Sequence, residues 1–543
     1  RKLAWTTLGL LTLGGMILGP IVQKYAFGAF WTGWPFGYDL TDNKTLIMWV
    51  VWVAVVVVMA RRPSPTDGVS RGAVLAAAVV MMTVYLIPHS LQGSELDYSE
   101  LEEEPTEVSR AGFFGGLGQI DLPRFASGPG PGRLGIDEGV DGATPDTVDS
   151  ADAFHRVVRI TEEGFPRPAE ASVAINPRDP GNVLVVSLAG GPPGGPGTTN
   201  YAYASQDGGE SWAVVAQANP QGRTQGDDAV TFGPRGRAFR TYISFDGIRV
   251  ERPRLARNGI FVARSDDGGF HWEAPVPVVD HINTVEPFED KPWIAADRVA
   301  DSPNEGNVYV AWTRFDVYGS QDPNDSTQIL FSRSVDGGES FSVPHRISDT
   351  GGDAEDSDDT VEGAVPAVGP EGQVYVAWAG PLGIVFDRSL DGGWTFGEDR
   401  VIAENPGGWD IPVPGMARHN GLPVTAVDLS SGPGRGSVYV NWIDERNGDP
   451  DVFVLASRDG GETWGEPVRV NDDPVGNGAA QLFTWMAVDP GDGSLNLVFL
   501  DRRGLEGPAQ GVTLVRSTDG GRTFRNFPVS QPPFTCPESV FFG

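Results

Sequence analysis

From about residue 154 onward the chain alternates apolar and polar positions with a period of two, as half-buried strands do. Runs such as GIFVARS, QILFSRS, GIVFDRS, VFVLASR and VTLVRST each lead into a glycine-rich turn. A second run follows the turn, as in WEAPVPVV, FSVPHRIS and WGEPVRVN. Two further runs lie upstream in each unit. One is short and ends in a Gly/Pro turn (ASVAINPRDPGN, DAVTFGPRGR, AVPAVGPEGQ, WMAVDPGDGS). The other is apolar and β-branched (NVLVVSLA, NVYVAWTR, QVYVAWAG, SVYVNWID, LNLVFLDR). The pattern predicts repeated four-stranded antiparallel sheets.

The first ninety residues read differently. Three nearly charge-free stretches run over Leu3–Val22, Thr45–Ala60 and Gly72 to about Ile87. With their flanks they approach the roughly 17–25 apolar residues of a spanning helix, and three in succession exceed a signal peptide. The expectation is a membrane anchor of about three transmembrane helices over residues 1–91. Arg1, Lys2, Arg61, Arg62 and Arg71 place the chain after the third helix outside the cytoplasm. Residues 92–153 are acidic and rich in Gly and Pro, with sparse apolar positions, which predicts an extended linker. The repeat region then covers 154–543.

Charge sharpens the division. The whole chain carries a net charge of −32, and residues 1–91 hold seven Lys/Arg against three acids, a net of +4 that leaves −36 for the rest. A body this acidic repels nucleic acid. The single cysteine, Cys536, excludes an intrachain disulfide. A start at Arg1 and a finish beyond the apolar run Val540, Phe541 and Phe542 predict that the protein continues past both ends.

One motif fixes the repeat. Ser-x-Asp-Gly-Gly-x-x-aromatic occurs six times, from SQDGGESW at Ser205–Trp212 to STDGGRTF at Ser517–Phe524. Its aspartates are Asp207, Asp267, Asp336, Asp391, Asp459 and Asp519, spaced by 60, 69, 55, 68 and 60 residues. The Asp side chain accepts backbone N–H groups and folds the turn, and the glycines supply positive φ. The terminal Trp or Phe is expected to tuck under its own hairpin. A lone sheet of this size cannot bury both faces, whereas sheets stacked radially cover one another.

These motifs resemble the Asp-box (BNR) repeats of the sialidase-like β-propeller superfamily over residues 154–543. The resemblance implies an all-β propeller with six complete blades, or seven with the last one cut short. It places each Asp box between the third and fourth strands. The run HRVVRI, from His155 to Ile160, is expected to lend a closing strand.

The resemblance also puts ligands on the face opposite the Asp boxes, where first strands begin and second strands end. First-strand starts supply Glu170, Asp227, Asp228, Asp290, Lys291, Glu362, Arg418, His419 and Trp485. Second-strand ends supply Arg314, Arg446, Arg502 and Arg503, with Tyr318 in an adjoining loop. An insertion adds Arg249, Arg252, Arg254 and Arg257. A sialidase clamps a carboxylate with three arginines and uses a Glu-activated Tyr as nucleophile with an Asp as acid/base. The candidate catalytic residues are accordingly Glu170, Asp228, Asp290, Glu362 and Tyr318. Candidate ligand-binding residues are Arg252, Arg314, Arg418, His419, Arg446, Arg502 and Trp485. The family's Arg-Ile-Pro motif is missing; the nearest text is GFPRPAEAS around Arg167. The run Asp353, Glu355, Asp356, Asp358 and Asp359 has oxygen ligands for Ca²⁺ but lacks the spacing of an EF-hand, and reads more simply as a solvated loop. No cofactor motif is present.

Three functions stay open at this point. The leading one is a membrane-tethered extracytoplasmic propeller that binds a glycan or protein ligand. The others are a retaining exo-α-sialidase or related glycosidase, and a structural subunit of an envelope complex.

Overall fold

The computed structural model describes residues 2–12, 40–61, 68–86, 157–161, 168–190, 198–216, 219, 221–246, 257–282, 286–416, 418–529 and 532–535. The chain divides into two units, Arg1–Arg124 and Phe125–Gly543. The expected linker, residues 92–153, lies outside the described residues.

The first unit contains α1 (Lys2–Leu10), α2 (Leu40–Arg61) and α3 (Gly68–Leu86). Ala4, Trp52, Val55, Val56, Met59 and Ala77 form its core. Trp49 Nε1 donates to Thr12 Oγ1 at 2.9 Å and ties α2 to the end of α1. The expectation of transmembrane helices is corrected here. Among the described residues no helix is long and apolar enough to cross a membrane. The reason is length. Of the first expected stretch, Leu3–Val22, the described part includes α1 (Lys2–Leu10), and residues 13–22 lie outside the described residues. In α2 the first turns carry Thr41, Asp42, Asn43 and Lys44, so the apolar stretch of about 15 residues rises only about 23 Å. In α3 the first turn carries Ser70 and Arg71, which leaves about 14 apolar residues. A hydrocarbon core of about 30 Å needs more.

The second unit is a six-bladed propeller. Six antiparallel sheets span residues 169–216, 224–281, 288–346, 362–403, 424–469 and 481–528, each with its strands in sequence order. These are blades 1 to 6. A short strand, Phe534–Thr535, adds to the third strand of blade 6. First strands pack on one another, and second strands pack against the first strand of the next blade, from blade 1 through blade 6. First strands are therefore innermost. Blade 6 and blade 1 share no comparably packed strand pair among the described residues. Val173 of blade 1 (60% exposed) and Val498 of blade 6 (38%) stay open there. The expected closing strand is not formed: residues 157–160 carry no strand, and the rest of HRVVRI lies outside the described residues.

Every third strand ends on an Asp-box serine, so each box occupies the hairpin to the fourth strand, as the pattern predicts. The chemistry is local and repeats. In blade 5, Ser457 Oγ donates to Asp459 Oδ1 at 2.7 Å and accepts from the Gly461 N–H at 2.8 Å. Asp459 Oδ1 also accepts from the Thr463 N–H, and Oδ2 from the Thr463 hydroxyl. Those bonds, the Thr463 hydroxyl first, hold the Asp459 carboxyl down at about 2.

The motif also joins neighbouring blades, which its local chemistry does not reveal. The first glycine's carbonyl accepts from a side chain of the preceding blade at all five joints: Asn182 to Gly268, Arg237 to Gly337, Arg333 to Gly392, Arg388 to Gly460 and Arg458 to Gly520. The second glycine lies against an apolar side chain of that blade. A Cβ at Gly461 would fall 2.6 Å from Phe386, and one at Gly338 would fall 2.9 Å from Phe239. The terminal aromatics of at least two boxes pack the same way, with Trp464 on Phe386 at 4.9 Å and Phe396 on Phe331 at 4.8 Å. They seal the joint between sheets as well as their own hairpin.

Candidate functional site

The innermost strands share one irregularity. In blades 1, 2, 3, 4 and 6 the pairing of the first and second strands slips at the start of the first strand. A bulge inserts one residue there and re-aims its side chain. The inserted position has positive φ: Glu170 (52°), Asp227 (46°), Lys291 (49°), Gly363 (78°) and Phe483 (49°). Only blade 4 uses glycine. Each of the others stores about 1–2 kcal/mol of left-handed strain. Strain repeated at one position of the fold and carried by charged and aromatic residues makes this rim the candidate site.

The rim is wired from blade to blade. Glu170 Oε2 accepts from the Asp227 N–H at 3.3 Å, and Asp227 Oδ2 accepts from the Lys291 N–H at 3.1 Å. Asp290 Oδ1 caps the same Lys291 N–H at 2.9 Å. Glu362 of blade 4 lies close enough to Asp356 before it for the Asp356 carboxylate to raise its pKa. Asp356 Oδ2 accepts from the Tyr318 hydroxyl at 2.5 Å, and Oδ1 from Arg418 Nη2 at 2.8 Å.

Crowded carboxyls cannot all ionise. Burial and then Asp227 push Glu170 up to about 8. Glu170 opens to solvent at the mouth, so screening weakens this shift more than the others. Burial and Asp227 also raise Asp290. Burial and Asp356 push Glu362 up to about 8. Asp227 goes the other way. Burial opposes its ionisation, but the Lys291 ammonium and bonds from Asp290 and Glu170 keep it below the usual range. Asp227 in turn keeps Lys291 charged despite burial. The rim thus holds protonated acids beside an ionised one. Tyr318 is raised by burial and by Asp290 and Asp356, so it holds its proton more tightly than a free tyrosine.

Blade 6 supplies an aromatic wall. Phe483 is 42% exposed, and its N–H donates to His419 Nε2 at 3.3 Å. His419 is buried and held neutral, its pKa lowered to about 3 by burial and then Arg502. Its ring meets Phe483 edge-on at 4.9 Å. Trp485 packs on Trp293 at 4.4 Å, which brings blades 3 and 6 together across the axis.

The structure therefore gathers Glu170, Asp290, Glu362, Tyr318 and Arg418 into one charged rim, with Asp227 and Lys291. Trp485 and His419 support its aromatic side. Asp228 is elsewhere: it is fully enclosed with Arg240 in a two-pronged pair at 2.6 and 3.1 Å. Arg446 pairs with Asp444 at 2.5 Å, and Arg502 donates to the Pro414 carbonyl at 2.7 Å. Arg314 is half-buried and has no ion pair among the described residues. Arg257 pairs with Asp246, while Arg249, Arg252 and Arg254 lie outside the described residues. In the acidic run, Asp353 accepts from Thr360 and Asp358 from the Asp410 N–H. Among the described residues no group of three or more His, Cys, Asp or Glu is arranged to hold a metal ion.

Sequence reading missed Phe483 and Trp293. Aligning the repeats on the second strand would have placed Phe483 level with Glu170, Asp227 and Lys291. A cavity of about 320 Å³ lies on the Asp-box side of blade 4, against Asp387, Leu390, Phe396 and Arg400. Its arginines are already bonded to Gly460, Gly461 and Glu462, so it offers less free chemistry than the rim.

No protein-family model matches the chain, and no curated protein matches it. Solved structures that resemble it include the Hadza microbial sialidase Hz136, at 18% identity and a TM-score of 0.35. That match covers 57% of this chain and 59% of the sialidase, so the chain spans about three fifths of that protein. A GH93 α-L-arabinofuranosidase of Fusarium graminearum with arabinobiose is similar at 13% identity and a TM-score of 0.41, covering 65% of this chain and 95% of that one. The NanB sialidase of Streptococcus pneumoniae is similar at 10% identity and a TM-score of 0.41, covering 63% and 67%. At these levels the likeness concerns the fold alone, which the strand topology establishes independently.

Proposed function

We propose that this propeller binds a glycan at the rim formed by the starts of its first strands. The observation that carries the proposal is the strained bulge position. It sets three charged side chains (Glu170, Asp227, Lys291) and one exposed aromatic ring (Phe483) at the same level of the fold. A sugar ring offers both partners: hydroxyls for the polar groups and an apolar face for the aromatic.

A second reading, glycoside hydrolysis, is favoured by the opposite shifts of Asp227 and its neighbours Glu170 and Asp290. Neighbouring acids pushed apart in pKa are how one site holds a proton donor beside a base. The exo-α-sialidase alternative is not favoured. It needs three converging arginines; Arg446 and Arg502 are each bonded within their surroundings, while Arg314 has no ion pair among the described residues. It also needs an activated tyrosine, and Tyr318 is shifted the wrong way.

The test is a glycan array followed by calorimetry, on the full chain and on Phe483→Gly. Glycine relieves the strain at φ 49° while removing the ring. Binding should fall about tenfold or more with no loss of thermal stability. Unchanged binding, or lost binding accompanied by unfolding, would sink the assignment of Phe483 to a glycan platform.

A further inference from the structure

Blade 4 departs from the other blades at one buried position. Two residues before the Asp-box serine the others carry Tyr203, Ala263, Ser332, Leu455 and Val515, and blade 4 carries Asp387. Asp387 is 2% exposed. Its Oδ1 accepts from the Arg388 N–H at 2.6 Å and the Gly397 N–H at 3.0 Å, while Oδ2 has no hydrogen-bond partner among the described residues. A buried carboxyl left half-satisfied destabilises a fold, and five blades close the same hairpin without one. Asp387 lines the cavity of about 320 Å³ on the Asp-box side, together with the half-buried Phe396 and the exposed Leu390. We infer that this cavity is a second binding site, for an alkylammonium group: a lysine side chain or a free aliphatic amine.

The lining suits a positive head on an apolar stem. Asp387 Oδ2 calls for a donor, and an ammonium brings three along with a counter-charge. That oxygen is recessed, so a narrow head on an unbranched chain suits it better than a sugar ring. Phe396 and Leu390 line the same cavity and offer apolar surface to the methylenes. The surrounding charge also favours a cation. Asp399 and Asp349 stand close enough to Asp387 to oppose its ionisation, and Asp391 and Glu398 line the cavity. Arg388 and Arg400 line it too, but Glu462 pairs with both, and Arg346 offsets part of the Asp399 charge. Among the described residues no three acids are arranged to hold a metal ion, so a molecular cation fits better than a metal. Burial first, and then Asp399 and Asp349, push Asp387 up to about 7 against the N–H bonds from Arg388 and Gly397. A bound ammonium favours the ionised carboxylate, so binding strengthens as pH rises through about 7.

The experiment titrates the full chain by calorimetry with pentylamine, with Nα-acetyl-lysine amide and, as the neutral control, with pentanol. At about pH 8 the amines should bind about tenfold tighter or more than pentanol. Tighter binding of pentylamine assigns the site to free amines, and tighter binding of the lysine amide assigns it to a protein partner. Amine affinity should rise about tenfold between pH 6 and pH 8 as Asp387 ionises. Asp387→Asn should abolish that rise and weaken the amines about tenfold. Leu390→Ser, at a position 66% exposed, should weaken them about threefold with an unchanged thermal midpoint, so the test stands even if Asp387→Asn unfolds. No amine binding, amine binding equal to that of pentanol, a pH-independent amine affinity, or no effect of either substitution would overturn the inference. None of these outcomes touches the rim, whose glycan reading stands or falls on Phe483.

Discussion

Substituting Gly461 by alanine tests whether the Asp box holds blades together or only closes its own hairpin. Two costs add. Gly461 has φ +82°, where a Cβ costs about 1–2 kcal/mol. That Cβ would also lie 2.6 Å from both Cε1 and Cζ of Phe386 in blade 4. Phe386 is fully buried and packed between Tyr375 and Trp464, so its ring has nowhere to swing. Overpacking of this kind costs about 1–3 kcal/mol. The expected loss is about 2–5 kcal/mol. Gly209→Ala is the control. It has φ +92°, but its Cβ would meet only Trp212 of its own turn, at 3.4 Å, so the loss should stay near 1–2 kcal/mol. Urea denaturation followed by tryptophan fluorescence gives both values, provided the slopes match. Phe386→Leu in the Gly461→Ala background should recover part of the loss, with a coupling of about 1 kcal/mol or more. Equal losses at the two glycines, or strict additivity with Phe386→Leu, would refute the joint between blades.

Two further outcomes follow from the buried charges. The Glu362 carboxyl is pushed up to about 8, against 4.5 for a free glutamate. The fold therefore favours its protonated form, so its contribution is complete below about pH 4.5 and is lost as pH rises through about 8. Thermal midpoints measured from pH 5 to 9 should fall less steeply for Glu362→Gln than for the wild type, and identical slopes would refute the shift. Asp228 and Arg240 are fully enclosed, so Arg240→Ala leaves an unpaired buried acid and should cost about 3–5 kcal/mol by denaturant titration. Replacing both by leucine and methionine should cost much less, and a larger loss in the double variant would contradict this account.

Much of the fold was legible because its signal is local. Ser457, Asp459, Gly460, Gly461 and Thr463 close a hairpin with bonds spanning four residues at most, so the turn, its position and the six blades could all be read from the chain. The positions of Glu170, Asp290, Glu362 and Arg418 at one rim followed from the same repeat. The apolar stretches at the start misled because hydropathy ignores where a helix begins. Asp42, Asn43 and Lys44 fall inside α2 and shorten its apolar part.

The sequence alone determined the wheel: its period, its strand order and the hairpins that pin each sheet. Only the tertiary structure decided which rim residues work together. A bulge exists in the slipped pairing of two strands, so the left-handed placement of Phe483 and Lys291 is invisible without the partner strand. Ion pairs such as Arg418 with Asp356 join residues 62 positions apart. Which arginine is spent and which acid keeps its proton depends on distances that form only after the blades have closed around the axis.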